Sequence, residues 1–520
     1  MLRLLLLALA LVFALAGCAG TLPAVQRAPS TTLQAPPDAP LARVAQDAGL
    51  MPGQSGFWPL LQSDYALDAR LAMIRHARRS VDLQYYLIGN DTIGRLILRE
   101  LRDAALRGVR VRLLVDDLYT EELDPLLLGL AAHPHVEVRL FNPFVSGRDI
   151  HFGRFLNFVG DFRRLNHRMH NKLFIADGVM AVVGGRNLAD EYFFRSKDAN
   201  FLDLDLLVTG TAAPRLAQLF DRYWNSDLAY PLHAIASTGH TREELREAFE
   251  DQTSGPADPD TRAPEGTDAF GGLALSKALA ERRHRFVAAD AIAYADAPEK
   301  AHADPAHLKI EETVTYRFLG FLREARSEVV LFSPYFIPGE RGIERLREAR
   351  AQGITVRIVT NAMGTSDEPL VNLGYQRYRD RMLGMGVQLY EMSAARLTRD
   401  PSLKKVLGST RGRLHAKMAF VDRQLVLVGS MNMDPRSAYT NTEIGVAIRS
   451  PALAELLFGA LRLESFPGVY QVQLKPDGSG VQWVGRGDSD EEVLGDEPEL
   501  GFWQRLKLRL MFLFVPEDLL

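Results

Sequence analysis

The sequence predicts an α/β protein built from two similar lobes, and three observations lead to this prediction. A pattern of polar residues occurs twice, with a shift of 245 residues between the copies. Helix-like and strand-like segments alternate along both halves, which is typical of sheets covered by helices. The chain has 520 residues, 47% hydrophobic and 24% charged, which is an ordinary globular composition with enough apolar residues for two cores.

The repeated pattern is "HNKLFIADGVMAVVGGRN" at residues 170–187 and "HAKMAFVDRQLVLVGSMN" at residues 415–432. In both copies a lysine follows the histidine by two residues, an aspartate by seven and an asparagine by seventeen. The same shift carries "GVRVRLL" (108–114) onto "GITVRIV" (353–359). A purely structural duplication would keep the apolar pattern and let the polar residues drift. Because the polar set is retained in full, both copies are expected to serve one function.

The N-terminal residues 1–18, "MLRLLLLALALVFALAGC", contain one arginine and an apolar run that is too short to span a bilayer comfortably. They have the shape of a signal peptide. In one interpretation Cys18, the single cysteine of the chain, is incidental. In the other, "LAGC" resembles a bacterial lipobox, and Cys18 carries acyl chains that anchor the protein. By resemblance to lipoprotein sorting rules, Ala19 then indicates the outer membrane and the periplasmic side of the envelope.

The remaining chain divides by composition. Residues 19–55 are rich in Ala, Pro and Gln and predict a flexible tether. Residues 56–250 form the first predicted lobe, in which Gly108 ends a helix before the strand "VRVRLLVDD". An Ala/Asp/Pro-rich connector at 251–309 leads to the second lobe at 310–470. The tail at 471–520 ends in "GFWQRLKLRLMFLFVPEDLL", which suits either a membrane interface or docking on its own lobe.

Each motif predicts a strand, a turn and a return strand. Because residues two apart on a strand share a face, His170 and Lys172 point the same way. Asp177 begins an Asp-Gly turn, and the glycine pair lets the backbone approach closely before Asn187 offers an amide. The second copy repeats this with His415, Lys417, Asp422, Ser430 and Asn432.

These residues resemble the signature of the phospholipase D superfamily, over about residues 56–470. The resemblance implies an α/β fold of two similar phospholipase D-like lobes, each a mixed β-sheet flanked by helices, related by a pseudo-twofold axis. Both motifs would meet in one cleft. The family works through a phosphohistidine intermediate, so no cofactor and no metal are expected.

The resemblance also implies residue roles. The catalytic set comprises His170, Lys172, Asp177, His415, Lys417 and Asp422. The phosphate-binding set comprises Lys172, Asn187, Lys417, Ser430 and Asn432. By family habit His170 is the nucleophile and His415 the general acid and base, although the sequence alone does not order them. The two motif aspartates are expected to brace their turns rather than touch substrate. A downstream carboxylate from each half orients a histidine: Glu443 in the second half, and either Asp203 or Asp205 in the first.

Several stretches, among them "VDLQYYLI", "RLNHRMHNK" and "GSMNMDPRSAYTNTEIG", are similar to bacterial cardiolipin synthases, most of all to type C. That resemblance implies transfer of a phosphatidyl group to phosphatidylglycerol at a membrane surface, with phosphatidylethanolamine as a candidate donor, by a monomeric pseudodimer. The alternatives are an envelope phospholipase D or other phosphodiesterase, including a nuclease, and a non-catalytic lipid-binding lipoprotein. The net charge of −4 gives no general attraction to nucleic acid, so none is expected as a partner.

Basic residues precede both motifs and could steer a phosphate into the cleft, or simply lie on solvated loops. They are Arg163, Arg164 and Arg168 in the first half, and Lys404, Lys405, Arg411 and Arg413 in the second.

Overall fold

The computed structural model describes residues 22–145, 148, 153–154, 157, 160–236, 238–254, 262–304, 306–399, 410–461, 468–486 and 491–512. The predicted signal segment with Cys18, and also Lys404 and Lys405, lie outside these residues. The fold is mixed α/β, as predicted. Its strands are β1 Ser55–Leu60, β2 Ser80–Tyr85, β3 Arg110–Asp116, β4 Val136–Phe141, β5 Leu173–Ala176, β6 Met180–Gly184, β7 Ala199–Leu202, β8 Asp205–Gly210, β9 Ala229–Pro231, β10 Val287–Ala295, β11 Glu328–Phe332, β12 Thr355–Asn361, β13 Gln388–Met392, β14 Arg411–Leu414, β15 Met418–Val421, β16 Leu425–Gly429, β17 Ile444–Arg449, β18 Val469–Leu474, β19 Val481–Arg486 and β20 Glu491–Leu494.

Helices lie between most of the strands and cover the sheets. Those in the described residues are α1 Pro40–Asp47, α2 Ser63–His76, α3 Thr92–Leu106, α4 Asp124–Ala131, α5 Phe162–Leu165, α6 Ala212–Trp224, α7 Leu232–Ile235, α8 Arg242–Thr253, α9 Leu275–Glu281, α10 Val314–Leu322, α11 Gly339–Ala351, α12 Pro369–Gly384, α13 Ala394–Leu397, α14 Pro435–Tyr439, α15 Pro451–Leu461 and α16 Phe502–Phe512. None of the helices in this part of the chain is long and apolar enough to cross a membrane.

The two lobes have the same strand order. The first runs β4-β3-β2-β5-β6-β8-β1. The second runs β13-β12-β11-β15-β16-β17-β10. In each lobe three parallel strands at one side meet an antiparallel set that contains the motif hairpin. Apolar runs such as "VRLLV" in β3 are buried along their length, as expected for strands covered on both faces. The duplicated sequence therefore folds as a duplicated topology.

Strand β10 joins the two sheets into one. Its residues Val287 to Ala289 pair with β1 of the first lobe, and Asp290 to Ala295 pair with β17 of the second. The predicted connector over 251–309 therefore contains a nine-residue strand that pairs with both lobes. The alternation "VAADAIAYA" is the period-two pattern of a strand, and the Pro- and Asp-rich segments on both sides obscured it.

The predicted flexible tether is also wrong for its described part, residues 22–55. From Arg27 to Ala35 the chain lies along the first lobe as a strap. Its backbone carbonyls accept hydrogen bonds from buried or half-buried arginines: Arg112 Nη1 reaches Ser30 O at 2.9 Å and Arg139 Nη2 reaches Ala28 O at 3.2 Å. The composition suggested solvation, but these carbonyls accept N–H groups of two buried guanidinium groups, which also pair with Asp82 and Asp221 in one case and with Glu137 in the other.

The C-terminal tail is more regular than its sequence indicated. It starts inside β18, which pairs with β13, and β19 and β20 then extend the second sheet. Helix α16 follows and packs against α12 through Leu508.

Candidate active site

The two motifs meet at the interface between the lobes. Met169 forms a parallel bridge with Thr442 of the opposite lobe, and the His170 N–H donates to the Thr442 carbonyl at 2.9 Å. In the second motif, β14 pairs in parallel with β7 of the first lobe, and the His415 N–H donates to the Leu202 carbonyl at 2.8 Å. Each histidine is thus attached by its own backbone to the lobe that does not carry it.

A carboxylate from the opposite lobe holds each imidazole. His170 Nδ1 lies 3.0 Å and 3.1 Å from the two carboxylate oxygens of Glu443. His415 Nδ1 lies 2.6 Å from Asp203 Oδ2. All four side chains are buried. With Nδ1 engaged in this way, Nε2 of each ring is the nitrogen available for chemistry.

The structure separates the two candidate carboxylates of the first lobe. Asp205 does not contact a motif histidine. It forms buried ion pairs with Arg70 at 2.8 Å and with Arg186 at 3.2 Å. Asp203 and Asp205 were predicted to share a strand face, but Asp203 precedes β8, and its side chain turns toward the other lobe.

The two lysines are buried and converge on the same space. Lys172 Nζ donates to the His170 carbonyl at 2.8 Å, and Lys417 Nζ donates to the His415 carbonyl at 2.6 Å. Burial lowers the pKa of Lys417 to about 8. Burial also lowers the pKa of Lys172 well below its usual value, and the nearby Lys417 charge adds to this effect. Because the Lys417 charge acts on Lys172, an anion bound beside both ammonium groups would stabilise them.

The motif asparagines also present unsatisfied polar atoms. Asn187 Nδ2 donates to the Tyr192 hydroxyl at 2.8 Å. The buried Oδ1 atoms of Asn187 and Asn432 have no partner within the described residues. Either end of an amide can face an incoming group, because the amide can turn over and present its N–H instead. Both side chains fit the predicted phosphate contact.

Ser430 lies elsewhere in the network than predicted. Its hydroxyl donates to Glu443 Oε2 and accepts from the Ile444 N–H at 3.1 Å, so it braces the carboxylate rather than facing a phosphate. A second serine, Ser437, donates to Glu443 Oε1 at 2.8 Å. The first lobe carries Gly185 at the position equivalent to Ser430, where a Cβ would overlap the Asp203 carboxylate.

The motif aspartates lie at the far ends of the motif strands. Asp177 has a φ of 56° in the turn after β5, and its carboxylate accepts the backbone N–H groups of residues 78–80. Asp422, with a φ of 51°, accepts those of residues 326–328. The prediction that these two aspartates belong to the catalytic set is therefore wrong. The prediction that they brace their turns agrees with this geometry.

The electrostatics of the pocket favour neutral imidazoles. Burial, followed by the Lys417 charge, lowers the pKa of His415 to about 4. Burial, followed by the Lys172 charge, lowers the pKa of His170 well below its usual value. Burial raises the pKa of Glu443 to about 7. Burial opposes ionisation of Asp203 too, but the contact with His415 outweighs it and lowers the pKa of Asp203.

Some residues of the site were missed from the sequence. The Tyr86 ring lies 5.0 Å from the His170 ring, and Lys172 Nζ lies 5.0 Å from the centre of the Tyr86 ring. Tyr192 packs edge-on to His415 at 5.1 Å. Tyr335 donates to Asp367 at 2.6 Å, and the Asp367 charge acts on His415 and Lys417. Tyr86 lies in "VDLQYYLI", one of the stretches that carry the family resemblance, and that resemblance was the signal available for it.

The basic residues before the motifs serve mainly structural contacts. Arg168 is fully buried and donates to Asp116 at 2.8 Å, and Arg164 donates to Asn142 at 2.7 Å. Arg163 pairs with Asp304 at 2.5 Å. A steering role is therefore wrong for Arg168.

Comparison with known proteins agrees with this geometry. The family described as "Cardiolipin synthase, PLD-like domain" matches residues 71–224 and 318–458. Cardiolipin synthase C of Escherichia coli is 34% identical over 477 residues, which cover 90% of this chain and 97% of that protein. Cardiolipin synthase of Geobacillus kaustophilus is 27% identical over 81% of this chain and 68% of that protein.

One solved structure supports the fold. Phosphatidylserine synthase of Haemophilus influenzae superimposes with a TM-score of 0.54 at 13% identity, over 91% of this chain and 97% of that one. With the family match over both lobes and the paired motifs in one cleft, the chain belongs to the phospholipase D-like family of cardiolipin synthases.

Proposed function

We propose that this protein is a phosphatidyltransferase that makes cardiolipin by moving a phosphatidyl group from a phospholipid donor to a hydroxyl of phosphatidylglycerol. The observation that carries the proposal is the pair of buried imidazoles, each held through Nδ1 by a carboxylate of the opposite lobe. The names of the relatives supply the product, cardiolipin. Phosphatidylethanolamine is the donor we would test first.

In the first step Nε2 of His170 attacks the donor phosphorus. The phosphorus–oxygen bond to the donor head group breaks, and His415 gives a proton to the departing alkoxide. The two lysines and the motif asparagines hold the non-bridging oxygens, where negative charge grows in the transition state. The bound phosphodiester is itself an anion, so it raises the pKa of His415 above its value in the empty pocket and lets that ring carry the proton.

In the second step a phosphatidylglycerol hydroxyl gives its proton to His415 and attacks the phosphohistidine. The phosphorus–nitrogen bond breaks and frees His170, and cardiolipin leaves. Because one chain supplies both half-sites, a monomer is sufficient for the reaction. The same intermediate could pass to water, so a transferase must keep water scarce at the cleft.

We further propose that the protein is lipid-anchored at Cys18, on the periplasmic side of the bacterial envelope at the outer membrane. The lipobox-like "LAGC" and Ala19 support this placement. Cys18→Ser should leave unprocessed or mislocalised protein. Unchanged fractionation, together with a wild-type protein that carries no lipid, would remove the argument.

The function is tested by product analysis. Purified protein is incubated with vesicles containing phosphatidylethanolamine, with and without phosphatidylglycerol, and the ratio of cardiolipin to phosphatidic acid is measured by mass spectrometry. We expect cardiolipin to dominate when phosphatidylglycerol is present. Phosphatidic acid as the main product, unchanged by phosphatidylglycerol, would identify a hydrolase instead.

The order of the histidines is tested with labelled donor and an acid-free quench. His170→Ala should give neither turnover nor label on the protein. His415→Ala should also lose nearly all turnover but retain a slowly formed labelled intermediate. His307→Ala, which replaces an exposed histidine, is the matched control and should behave as wild type.

A further inference from the structure

Helix α16 presents an apolar face that is exposed in the part of the chain that the structure describes. Phe502 is 63% exposed, Trp503 76% and Leu510 54%, and Leu506 and Met511 are also exposed. At about 100° per residue, Phe502, Leu506, Leu510 and Trp503 lie within a single arc of about 100° on the helix surface. Leu508, on the other side, packs into the second lobe. One side of the helix therefore packs on the second lobe, and the opposite side is exposed.

The charge of this helix complements an anionic surface. The segment "FWQRLKLRLMF" contains three basic residues and no acidic one. Lys507 is exposed between the apolar residues, whereas Arg505 pairs with Asp496 at 3.2 Å. Aromatic rings and lysines on one exposed helix face are typical of helices that lie in a phospholipid interface. At eleven residues the helix is about 16 Å long, which suits lying in an interface.

The segment before the helix attaches it to the active site. The Glu499 carboxylate accepts from Thr365 Oγ1 at 3.0 Å and from the Ala395 N–H at 2.9 Å. Glu497 accepts from Arg379 at 2.8 Å. Thr365 stands two residues before Asp367, whose charge reaches His415 and Lys417. The apolar helix thus continues directly from a segment that clamps a loop of the catalytic cleft.

We propose that the exposed face of α16 is a membrane-docking surface that inserts into an anionic phospholipid bilayer and seats the cleft on it. The proposal deepens the proposed function and rests on it for the lipid nature of the substrate. Insertion would place lipid head groups next to the loop that carries Asp367 and would limit the access of water to the phosphohistidine.

Tryptophan fluorescence gives a test that is specific to this helix. The chain has four tryptophans, and the other three, Trp58, Trp224 and Trp483, are buried. Full-length protein carrying His170→Ala is mixed with phosphatidylglycerol vesicles that contain brominated acyl chains. We expect a blue shift and quenching of emission, and we expect Trp503→Phe to lose that response. No quenching, or quenching that persists in Trp503→Phe, would overturn the proposal.

A second arm measures the consequence for turnover. The turnover of the double variant Phe502→Ser/Trp503→Ser on vesicles should be about tenfold or more below that of the wild type, because two aromatic rings no longer enter the interface. It should keep its turnover on short-chain lipid dispersed in detergent. The double variant Met51→Ser/Ile292→Ser, which removes exposed apolar residues elsewhere, is the matched control and should be unaffected in both assays. Equal losses in vesicles and detergent would contradict membrane docking.

Two further outcomes are informative. A blue shift of Trp503 emission with rising protein concentration and no vesicles would show that a second copy of the chain covers the face, and would overturn the proposal. Quenching needs no chemistry, so a protein that docks but makes no cardiolipin would disprove only the proposed function. A protein that makes cardiolipin without Trp503 quenching would disprove only the docking surface.

Discussion

His170 Nδ1 lies 3.0 Å from Oε2 of Glu443, a residue 273 positions later in the chain and in the opposite lobe. The second motif has the same arrangement in the opposite direction, because His415 of the second lobe binds Asp203 of the first. Neither lobe alone therefore contains a complete pair of imidazole and carboxylate.

Asp203→Asn should lower turnover by about a hundredfold or more with little change in melting temperature, because the amide cannot hold the protonated His415 ring as the carboxylate does. Asp205→Asn is the matched variant in the same stretch. It should cost about 3–5 kcal/mol of unfolding free energy, because Arg70 and Arg186 would lose a buried partner. Both are measured by kcat and thermal unfolding. If folded Asp205→Asn were the inactive one, the assignment of Asp203 would fail.

The pH profile of kcat should be bell-shaped, because in the complex the bound phosphodiester lets His415 carry a proton while His170 stays neutral. Lys417, whose pKa is about 8 in the empty pocket, is charged below that pH and loses its charge above it, so kcat should fall as the pH rises past about 8. Arginine stays protonated, so in Lys417→Arg the fall in rate should shift to higher pH, even if the maximum rate of the variant is lower. Lys309→Arg, at an exposed site, should leave the profile alone. If the rate of Lys417→Arg fell at the same pH as that of the wild type, the fall would be due to the titration of another group.

On the acid side, both imidazoles have pKa values below the ordinary histidine value, so the nucleophile stays neutral well under pH 6.5. Because His and Lys supply the positive charge in this mechanism, EDTA should not abolish turnover. A strict requirement for a divalent metal in the chemical step would argue against it.

Removing both serine donors of Glu443, in Ser430→Ala/Ser437→Ala, should reduce turnover about tenfold near pH 7. Burial raises the pKa of Glu443 to about 7, and the loss of two hydrogen bonds should raise it further. Less of the carboxylate would then be ionised to hold His170 at pH 7. The deficit should shrink as the pH rises from 6.5 to 8, and kcat at these two values checks it. A deficit independent of pH would show that the serines act through packing alone; Ser479→Ala, at an exposed serine, is the control.

Asp177→Ala should destabilise the first lobe by about 3 kcal/mol, because three backbone N–H groups lose a charged acceptor. The protein that remains folded should keep most of its turnover, since the carboxylate faces the start of β2 and not the cleft. Urea unfolding and kcat of the same preparation test both parts, with exposed Asp38→Ala as the control. Loss of turnover with unchanged unfolding would restore a catalytic role for Asp177.

The sequence was sufficient for the two-lobed α/β fold and for the motif residues, because the duplication preserved both the apolar pattern and the polar set. It could not decide whether Asp203 or Asp205 orients a histidine, because the choice depends on a contact between the lobes that joins residues 212 positions apart in the chain. Ser430 was placed on the phosphate because its neighbours in the motif are there, whereas its hydroxyl turns to Glu443. The strap from Arg27 was missed because backbone carbonyls bind Arg112 and Arg139, and carbonyls carry no sequence signal.

The shared strand β10 has a consequence for how the chain assembles during synthesis. While only the first lobe has been made, the edge at Ser55 to Phe57 has no partner from β10, and an unpaired edge invites aggregation. Val287 to Ala289 are the next sheet residues to leave the ribosome, and they close that edge. Asp290 to Ala295 then form an exposed strand edge, and β17 pairs with this edge once about 150 more residues have been synthesised. The first lobe is thus protected early, and the second grows from an edge that the first has already positioned.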